Sequence, residues 1–390
     1  MEHTVVLQTT RRRLLVPLAA SIAAILALGF AMQGLQPLLD PAASADLPAP
    51  VGWLLTDLTE AQFAATALAG VGMIAGALLA HRLARRRSQL RGFDVAYGTG
   101  LLPWVLAASL LGLLLSELVW GWARAEAWQP TFVPFVSVPA AVVLVHGRGW
   151  RVALTGAVAG ALTTTPIAML VVDFACIPLG IPNVVGNVTG MWAGAAVVFG
   201  LWRFLPWTRR AGAAADEPAG PVDAEDAGPA RLTGWWLPRR ALAEFSEPQF
   251  FGNELASLGF LAGLLIAWLI APASPAYGTL LVPQLLTAQL LAAVLGAWWH
   301  ARRWEAHGWY PSFVPVVSLV PAAVLAFDGH PVAVGIAIAI GVLLGPPLAH
   351  AIIRRLPAGW HPFVGSVFSM TVITLLGFGV LHLAEPFILH

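Results

Sequence analysis

Long apolar runs alternate with short polar stretches along almost the whole chain. Most runs reach the ~20 residues that an α-helix needs to cross a ~30 Å hydrocarbon layer. The pattern therefore predicts an all-α, polytopic membrane protein of about eleven transmembrane helices. The runs lie at about 14–35, 62–81, 95–120, 131–146, 151–174, 183–204, 250–271, 277–299, 310–327, 331–352 and 362–383.

Composition supports the same class. Hydrophobic residues make up 58% of the 390 residues, charged residues 11%, and the mean hydropathy is +0.77. A soluble protein keeps roughly a quarter of its residues charged, so we expect the lipid bilayer as the partner. All 21 basic residues are arginines in short clusters between apolar runs. Such clusters are topology signals and do not form a surface for nucleic acid.

The first run follows Arg11–Arg13. A cleaved secretory signal ending near Ala43-Ser44-Ala45 is the alternative, but the run exceeds the ~7–15 apolar residues typical of such signals. We therefore expect residues 1–57 to hold a retained transmembrane helix and an external loop. The short run at 131–146 contains two prolines, so whether it spans or re-enters stays open.

A polar segment divides the remaining chain. Residues 208–232 are rich in Ala, Pro, Gly and acidic side chains and show no apolar period. Such a segment buries too little apolar surface to offset its chain entropy. We expect a disordered cytoplasmic linker at 208–243 between a first half (58–207) and a second half (244–390).

The two halves match in sequence. Five segments recur in the same order, which indicates a duplication with five spans in each half. The matching segments are Glu60-Ala-Gln-Phe with Glu247-Pro-Gln-Phe, Ala96-Tyr-Gly-Thr with Ala276-Tyr-Gly-Thr, Pro130-Thr-Phe-Val-Pro with Pro311-Ser-Phe-Val-Pro, Pro166 with Pro347, and the stretches that begin at Pro182 and Pro362.

An odd number of spans per half predicts that the halves insert in opposite directions. The arginines support this prediction, because with a cytoplasmic N-terminus only Arg124 falls in an outside segment. The loop at 82–91 holds five arginines, whereas its matching loop at 271–275 holds none. We expect a 5+5 inverted-topology repeat in a bacterial cytoplasmic membrane, with the C-terminus external.

Two short motifs are interpreted as structural. Thr59-x-x-Gln62 and Ser246-x-x-Gln249 fit the capping box, in which side chains satisfy free N–H groups at a helix start. The pairs Gly72/Gly76 and Gly259/Gly263 have the spacing that lets helix backbones approach closely.

The matching proline motifs are the first candidate site. Pro134 and Pro315 each remove a backbone donor within an apolar run, and the freed carbonyls are tolerated only where they line a cavity or are covered by protein. Ser137 and Ser318 are the polar groups that a solute site would use. A kinked packing helix is the alternative.

Glu254 is the second candidate. It is placed about two turns into the seventh run. A carboxylate there costs free energy unless it is protonated, ion-paired or hydrated. Asn253 precedes it, and Ser257 lies one turn further on. A proton- or ion-coupling role competes with a packing hydrogen bond and with an interfacial position. The remaining polar candidates within runs are Gln284, Gln289, Tyr97, Tyr277 and Asn187.

The sequence contains no nucleotide-binding loop, metal-ligand set or nucleophile motif. We therefore expect no catalytic residue and no cofactor. The favoured function is a secondary active transporter for a small polar or anionic solute, coupled to H⁺ or Na⁺. A membrane-embedded lipid-processing enzyme or flippase using Glu254 or His350, and a non-catalytic membrane subunit, are the alternatives. Assembly of identical chains stays open.

Overall fold

The computed structural model describes residues 11–43, 47, 51–123, 130–205, 207 and 232–388. Every regular element in these ranges is helical, which confirms the all-α class. Eight of the described helices are long and apolar enough to cross a membrane. These helices fit a membrane-embedded protein.

The helices follow the predicted runs closely. Before and within the first half they are α1 (Leu15–Leu35), α2 (Val51–Thr56), α3 (Ala67–Arg85), α4 (Leu102–Trp120), α5 (Val138–His146), α6 (Trp150–Val171) and α7 (Val184–Trp202). Before and within the second half they are α8 (Trp236–Ala243), α9 (Glu254–Ile270), α10 (Val282–Trp299), α11 (Ala301–His307), α12 (Leu319–Ala326), α13 (Pro331–Ile353) and α14 (Phe363–Ile388).

Three of the eleven predicted runs form shorter apolar helices than a simple span requires. They are Pro130–His146, Glu254–Ile270 and Val314–Ala326. The first and third are each interrupted at a serine, where a 3-10 turn gives way to α5 or α12. The interruption follows from the prolines, because a proline within a helix lacks the N–H that bonds to the preceding turn.

Glycines position the contact between α3 and α9. A Cβ atom on Gly72 would collide with the carbonyl of Gly259, and one on Gly263 would collide with the carbonyl of Leu68. The two helix backbones therefore touch directly, as the packing interpretation of these motifs requires. Gly160 and Gly341 similarly contact Pro139 and Pro315.

The structure differs from the predicted linker at its C-terminal end. Residues 236–243 form α8, whose Trp236, Leu237 and Ala241 are buried. These apolar side chains recur on one helix face, a period that the surrounding polar sequence obscures. The predicted segment 208–231 lies outside the described residues.

Candidate functional site

Two matching turns meet in the interior of the protein. One is the 3-10 turn Asp57–Gln62, which precedes α3, and the other is the segment 244–249, which precedes α9. Their polar residues correspond one to one along the chain and are all buried. The matching pairs are Asp57 with Glu244, Thr59 with Ser246, Glu60 with Glu247, and Gln62 with Gln249.

The two glutamines bond to each other. Gln62 Nε2 donates to Gln249 Oε1 at 2.8 Å, and Gln249 Nε2 donates to Gln62 Oε1 at 3.0 Å. Each amide also donates to a matching carbonyl across the contact, that of Phe245 at 2.6 Å and that of Leu58 at 3.2 Å. The four bonds join the two halves through equivalent atoms.

The capping-box prediction is therefore wrong for both motifs. The glutamine amides pair with each other and do not reach back to a helix N-terminus. The cap of α9 is Asn253, whose Oδ1 accepts from Leu255 N at 2.8 Å and Ala256 N at 3.3 Å. A sequence motif of four residues does not reveal a partner 187 positions away.

Each central glutamate is held by a tyrosine from the opposite half. The Tyr277 hydroxyl donates to Glu60 Oε1 at 2.9 Å, and at the matching position Tyr97 interacts electrostatically with Glu247. Both tyrosines have a left-handed backbone with φ of 55°, a conformation that is uncommon for residues other than glycine. Trp309 Nε1 also donates to Glu247 Oε1 at 2.7 Å.

The charge around the two glutamates differs. Arg240 Nη2 lies 2.9 Å from Glu247 Oε2, and Arg240 Nε lies 3.3 Å from Glu244 Oε1. The position that matches Arg240 in the first half is Trp53. Burial raises the pKa of Glu244 to about 7, although Arg240 and the Ser312 hydroxyl lower it.

Asp57 has a different kind of partner. The Thr131 hydroxyl donates to Asp57 Oδ2 at 2.7 Å. Burial, together with a hydrogen bond to the Glu117 carboxyl, raises the pKa of Asp57 well above its usual range. Two carboxyl groups that share a hydrogen bond hold a proton between them.

A cavity of about 530 Å³ lies between the halves and reaches the glutamate–tyrosine pairs. Most of its wall is apolar and is built from matching residues: Phe63 with Phe250, Phe132 with Phe313, and Val136 with Val317. Its polar lining comprises Glu60, Glu247, Tyr97, Tyr277, Trp309, His361, Asn183, Asn187 and Ser366.

Two lining residues carry polar atoms without a partner. Asn187 Oδ1 and Ser366 Oγ are buried and make no hydrogen bond within the described residues. An unpaired buried polar atom costs about 1–3 kcal/mol, so a ligand or water that bonds to these atoms gains that energy.

His361 contributes a neutral ring. The backbone N–H of Phe363 donates to His361 Nδ1 at 3.1 Å. Burial lowers the pKa of His361 to about 3. With Nδ1 acting as an acceptor, the ring proton resides on Nε2, which gives the cavity a hydrogen-bond donor.

Several predicted site residues lie at this cavity or support it. Tyr97, Tyr277 and Asn187 line it. Gln289 lies behind it and donates to the carbonyls of Gln62 at 3.0 Å and Val316 at 2.9 Å. Gln284 is elsewhere, in a separate pocket with Gln33 and Gln36.

The proline and serine candidates are also buried behind the wall. Ser137 and Ser318 donate to the carbonyls of Val133 and Val314, each at 2.6 Å, so their hydroxyls are used within their own segments. Pro134 and Pro315 shape these segments. Two residues after each proline, Val136 and Val317 reach the cavity.

Glu254 lies in a different place from the one predicted. It is the first residue of α9, not a residue two turns inside the helix. Its Oε1 accepts from Arg239 at 2.7 Å and its Oε2 from Phe93 N at 2.7 Å. Asn253 Nδ2 donates to the Arg91 carbonyl at 3.0 Å, and Ser257 bonds to Ser246 at 2.9 Å. These contacts favour the packing interpretation.

Sequence reasoning missed Glu60, Glu247, Asp57, Glu244, Arg240, His361 and Ser366. The two glutamates lie inside the motifs interpreted as capping boxes, Thr59-x-x-Gln62 and Ser246-x-x-Gln249, and are carboxylates at matching positions in both halves. That shared position was the available signal, because a helix start accepts many other residues. Within the described residues, no group of three His, Cys, Asp or Glu side chains could hold a metal ion.

No protein-family model matches this sequence, and no curated protein matches it. The geometry and chemistry of the cavity are therefore the basis for its interpretation.

Proposed function

We propose that the protein is a secondary active transporter that works by alternating access, with its solute site in the cavity between the halves. The proposal includes an inverted 5+5 repeat of about eleven spans. The paired Gln62–Gln249 bonds and the matching Glu60–Tyr277 and Glu247–Tyr97 interactions support it, because equivalent groups meet as they do around a two-fold axis. The arginine pattern favours the bacterial cytoplasmic membrane with an internal N-terminus.

The cavity, to which each half contributes one glutamate and one tyrosine, is the observation that carries this proposal. Inverted-repeat transporters place solute and coupling ion at the interface of the repeats. Since each half supplies the same groups, either half can cover the site while the other opens. Buried carboxyls that bind or release H⁺ or Na⁺ would couple the movement to an ion gradient.

The lining also indicates the solute. Aromatic and aliphatic side chains cover most of the wall, while Glu60 and Glu247 are its acidic lining residues. A volume of about 530 Å³ is within the range of small-molecule sites. We therefore propose a solute with an apolar body and a cationic or hydrogen-bond-donating end, in place of the small polar or anionic solute expected from sequence.

A thermal-shift screen of the purified protein tests the site. Amines, quaternary ammonium ions, neutral polar solutes and organic anions are each added at pH 6 and pH 8, with and without Na⁺. We expect a cationic amphipathic solute to raise the Tm of the parent protein. Glu60→Gln removes this shift, whereas Glu254→Gln keeps it because Glu254 lies outside the cavity.

Uptake into proteoliposomes tests the transport step with any solute found in the screen. A pH or Na⁺ gradient should drive accumulation, and Glu247→Gln should abolish the dependence on the gradient. Binding without uptake in either direction contradicts the transporter. If Glu254→Gln, and not Glu247→Gln, abolishes the pH dependence of uptake, Glu254 is the coupling residue.

The apolar wall also favours a second candidate, a lipid-processing enzyme or flippase. In that case the cavity would take an acyl chain, and labelled phospholipid would be moved between leaflets or converted to a new product by the purified chain. The acid–base residues first considered for such chemistry lie in different surroundings. Glu254 bonds to Arg239, while the His350 ring lies 5.1 Å from the His307 ring and 5.4 Å from the Tyr310 ring.

A further inference from the structure

A second pocket of about 490 Å³ lies away from the central cavity, where α11 meets the C-terminal end of α13. Its lining residues are Arg303, Tyr310, Pro347, His350, Ala351, Arg354 and Arg355. Because α13 is one of the candidate spans, its end lies at the level of lipid headgroups if the chain spans a membrane. A polar pocket at this depth faces both lipid headgroups and water.

The pocket is strongly basic. Three of its seven lining residues are arginines, and none is acidic. Arg303 and Arg354 form no ion pair with a carboxylate in the described part of the chain. Arg355 uses one nitrogen, Nη1, to donate to the Ala351 carbonyl at 2.8 Å. Most guanidinium donors of the pocket therefore have no acceptor among the residues that the structure describes.

The helix framework does not require this charge. In the first half, Pro166 matches Pro347, and the positions that correspond to His350, Arg354 and Arg355 are Met169, Asp173 and Phe174. The first half therefore has an apolar residue, an acid and an aromatic residue at these matching positions. The C-terminal end of a helix carries partial negative charge. Arg355, which donates to the Ala351 carbonyl, already places one positive charge at this end.

We propose that this basic pocket binds a phosphate group, either in the headgroup of an anionic phospholipid or in a soluble phosphate ester. Guanidinium groups bind phosphate oxygens through paired N–H donors. Basic pockets between membrane helices are suited to anionic headgroups, since apolar helix faces beside the pocket hold the acyl chains. The Tyr310 side chain contributes a further wall beside Arg303.

The test compares the full-length parent protein with two triple variants of equal charge. R303A/R354A/R355A removes the basic pocket, and R82A/R85A/R86A removes three exposed arginines at the end of α3. Arg354→Gln is a milder second variant if the first triple variant does not fold. Native mass spectrometry in detergent measures binding of dioleoylphosphatidylglycerol, dioleoylphosphatidylcholine and glycerol phosphate.

Phosphatidylglycerol should bind more tightly than phosphatidylcholine, and the pocket variant should lose about tenfold in affinity. The α3 variant should retain the parent's affinity. If glycerol phosphate binds with the same dependence on the pocket and the lipids show no preference, a soluble phosphate is the ligand. Equal losses in both triple variants, or no phosphate binding at all, would overturn the proposal, since the arginines would then act only through overall charge.

Discussion

The paired amides of Gln62 and Gln249 form one of the direct connections between the two halves. Both side chains are almost completely buried, and each makes bonds that only the other half supplies. Removing one amide leaves the other with buried, unpaired polar atoms, which costs more than the bond itself. This pair is therefore expected to contribute to stability as a unit.

Gln62→Ala should lower the free energy of unfolding by about 2–4 kcal/mol, because it unpairs Gln249 and the Phe245 carbonyl. The double variant Gln62→Ala/Gln249→Ala should cost clearly less than the sum of the two single changes. Thermal unfolding of the four proteins in one detergent measures this coupling. Gln284→Ala is the control, and additive losses would show that the two amides act independently.

The lowered pKa of His361 predicts that the free energy of unfolding depends on pH. Burial lowers its pKa from 6.5 to about 3, so the folded chain binds fewer protons than the unfolded chain between these values. Its stabilising effect is complete above pH ~6.5 and is lost as the pH falls toward 3. At pH 4.5 this loss amounts to about 3 kcal/mol.

Tm measured from pH 7.5 to 4.5 tests this dependence. On acidification His361→Gln should lose less stability than the parent, or gain more, because the titrating ring is gone, whereas the raised pKa values of Glu244 and Asp57 act in the opposite direction in both proteins. His330→Gln, a change at a half-buried histidine, should follow the parent curve. An unchanged slope in His361→Gln would mean that other groups cause the acid sensitivity.

At the scale of elements, contact between α3 and α9 depends on the absence of side chains. Gly72→Ala places a methyl group against the Gly259 carbonyl and should force the helices apart. We expect a destabilisation of at least about 2 kcal/mol, as for other overpacked contacts. Tm and the monodisperse fraction in size-exclusion chromatography report the change.

Gly335 of α13 is the matched control. A Cβ atom there meets no heavy atom within 4 Å, so Gly335→Ala should gain about 0.5–1 kcal/mol from helix propensity. Opposite signs for the two glycine substitutions would support close packing at the first site. Equal effects would mean that general helix propensity, and not the α3–α9 contact, determines both.

Most helices could be predicted from sequence because hydrophobic length is a local property. The breaks at Ser137 and Ser318 were also foreseen as loosened segments from their prolines. The helix α8 was missed because its buried face is short and lies beside a polar stretch. Glu254 was misplaced because the preceding turn, which ends in Asn253, extends further into the apolar run than hydropathy indicates.

At the scale of the whole molecule, sequence matching paired the residues of the site without showing that they meet. Tyr97 and Tyr277 are predicted candidates as polar residues in matching runs, yet their interactions with Glu247 and Glu60 cross between the halves. Such contacts depend on how the halves pack, which local periodicity does not contain. The cavity follows from that packing and was therefore beyond prediction in detail.

If the halves insert in opposite directions, their matching loops lie on opposite sides of the membrane. In a Cys176→Ala background, Arg86→Cys and Ala273→Cys place single thiols in the matching loops after α3 and α9. A membrane-impermeant maleimide should label residue 86 from the cytoplasmic side and residue 273 from the external side, because the arginine bias reverses between these loops. Arg355→Cys, in a loop predicted to be cytoplasmic, should behave like residue 86. If residues 86 and 273 react from the same side, the inverted repeat is excluded, and alternating access would then need a different structural basis.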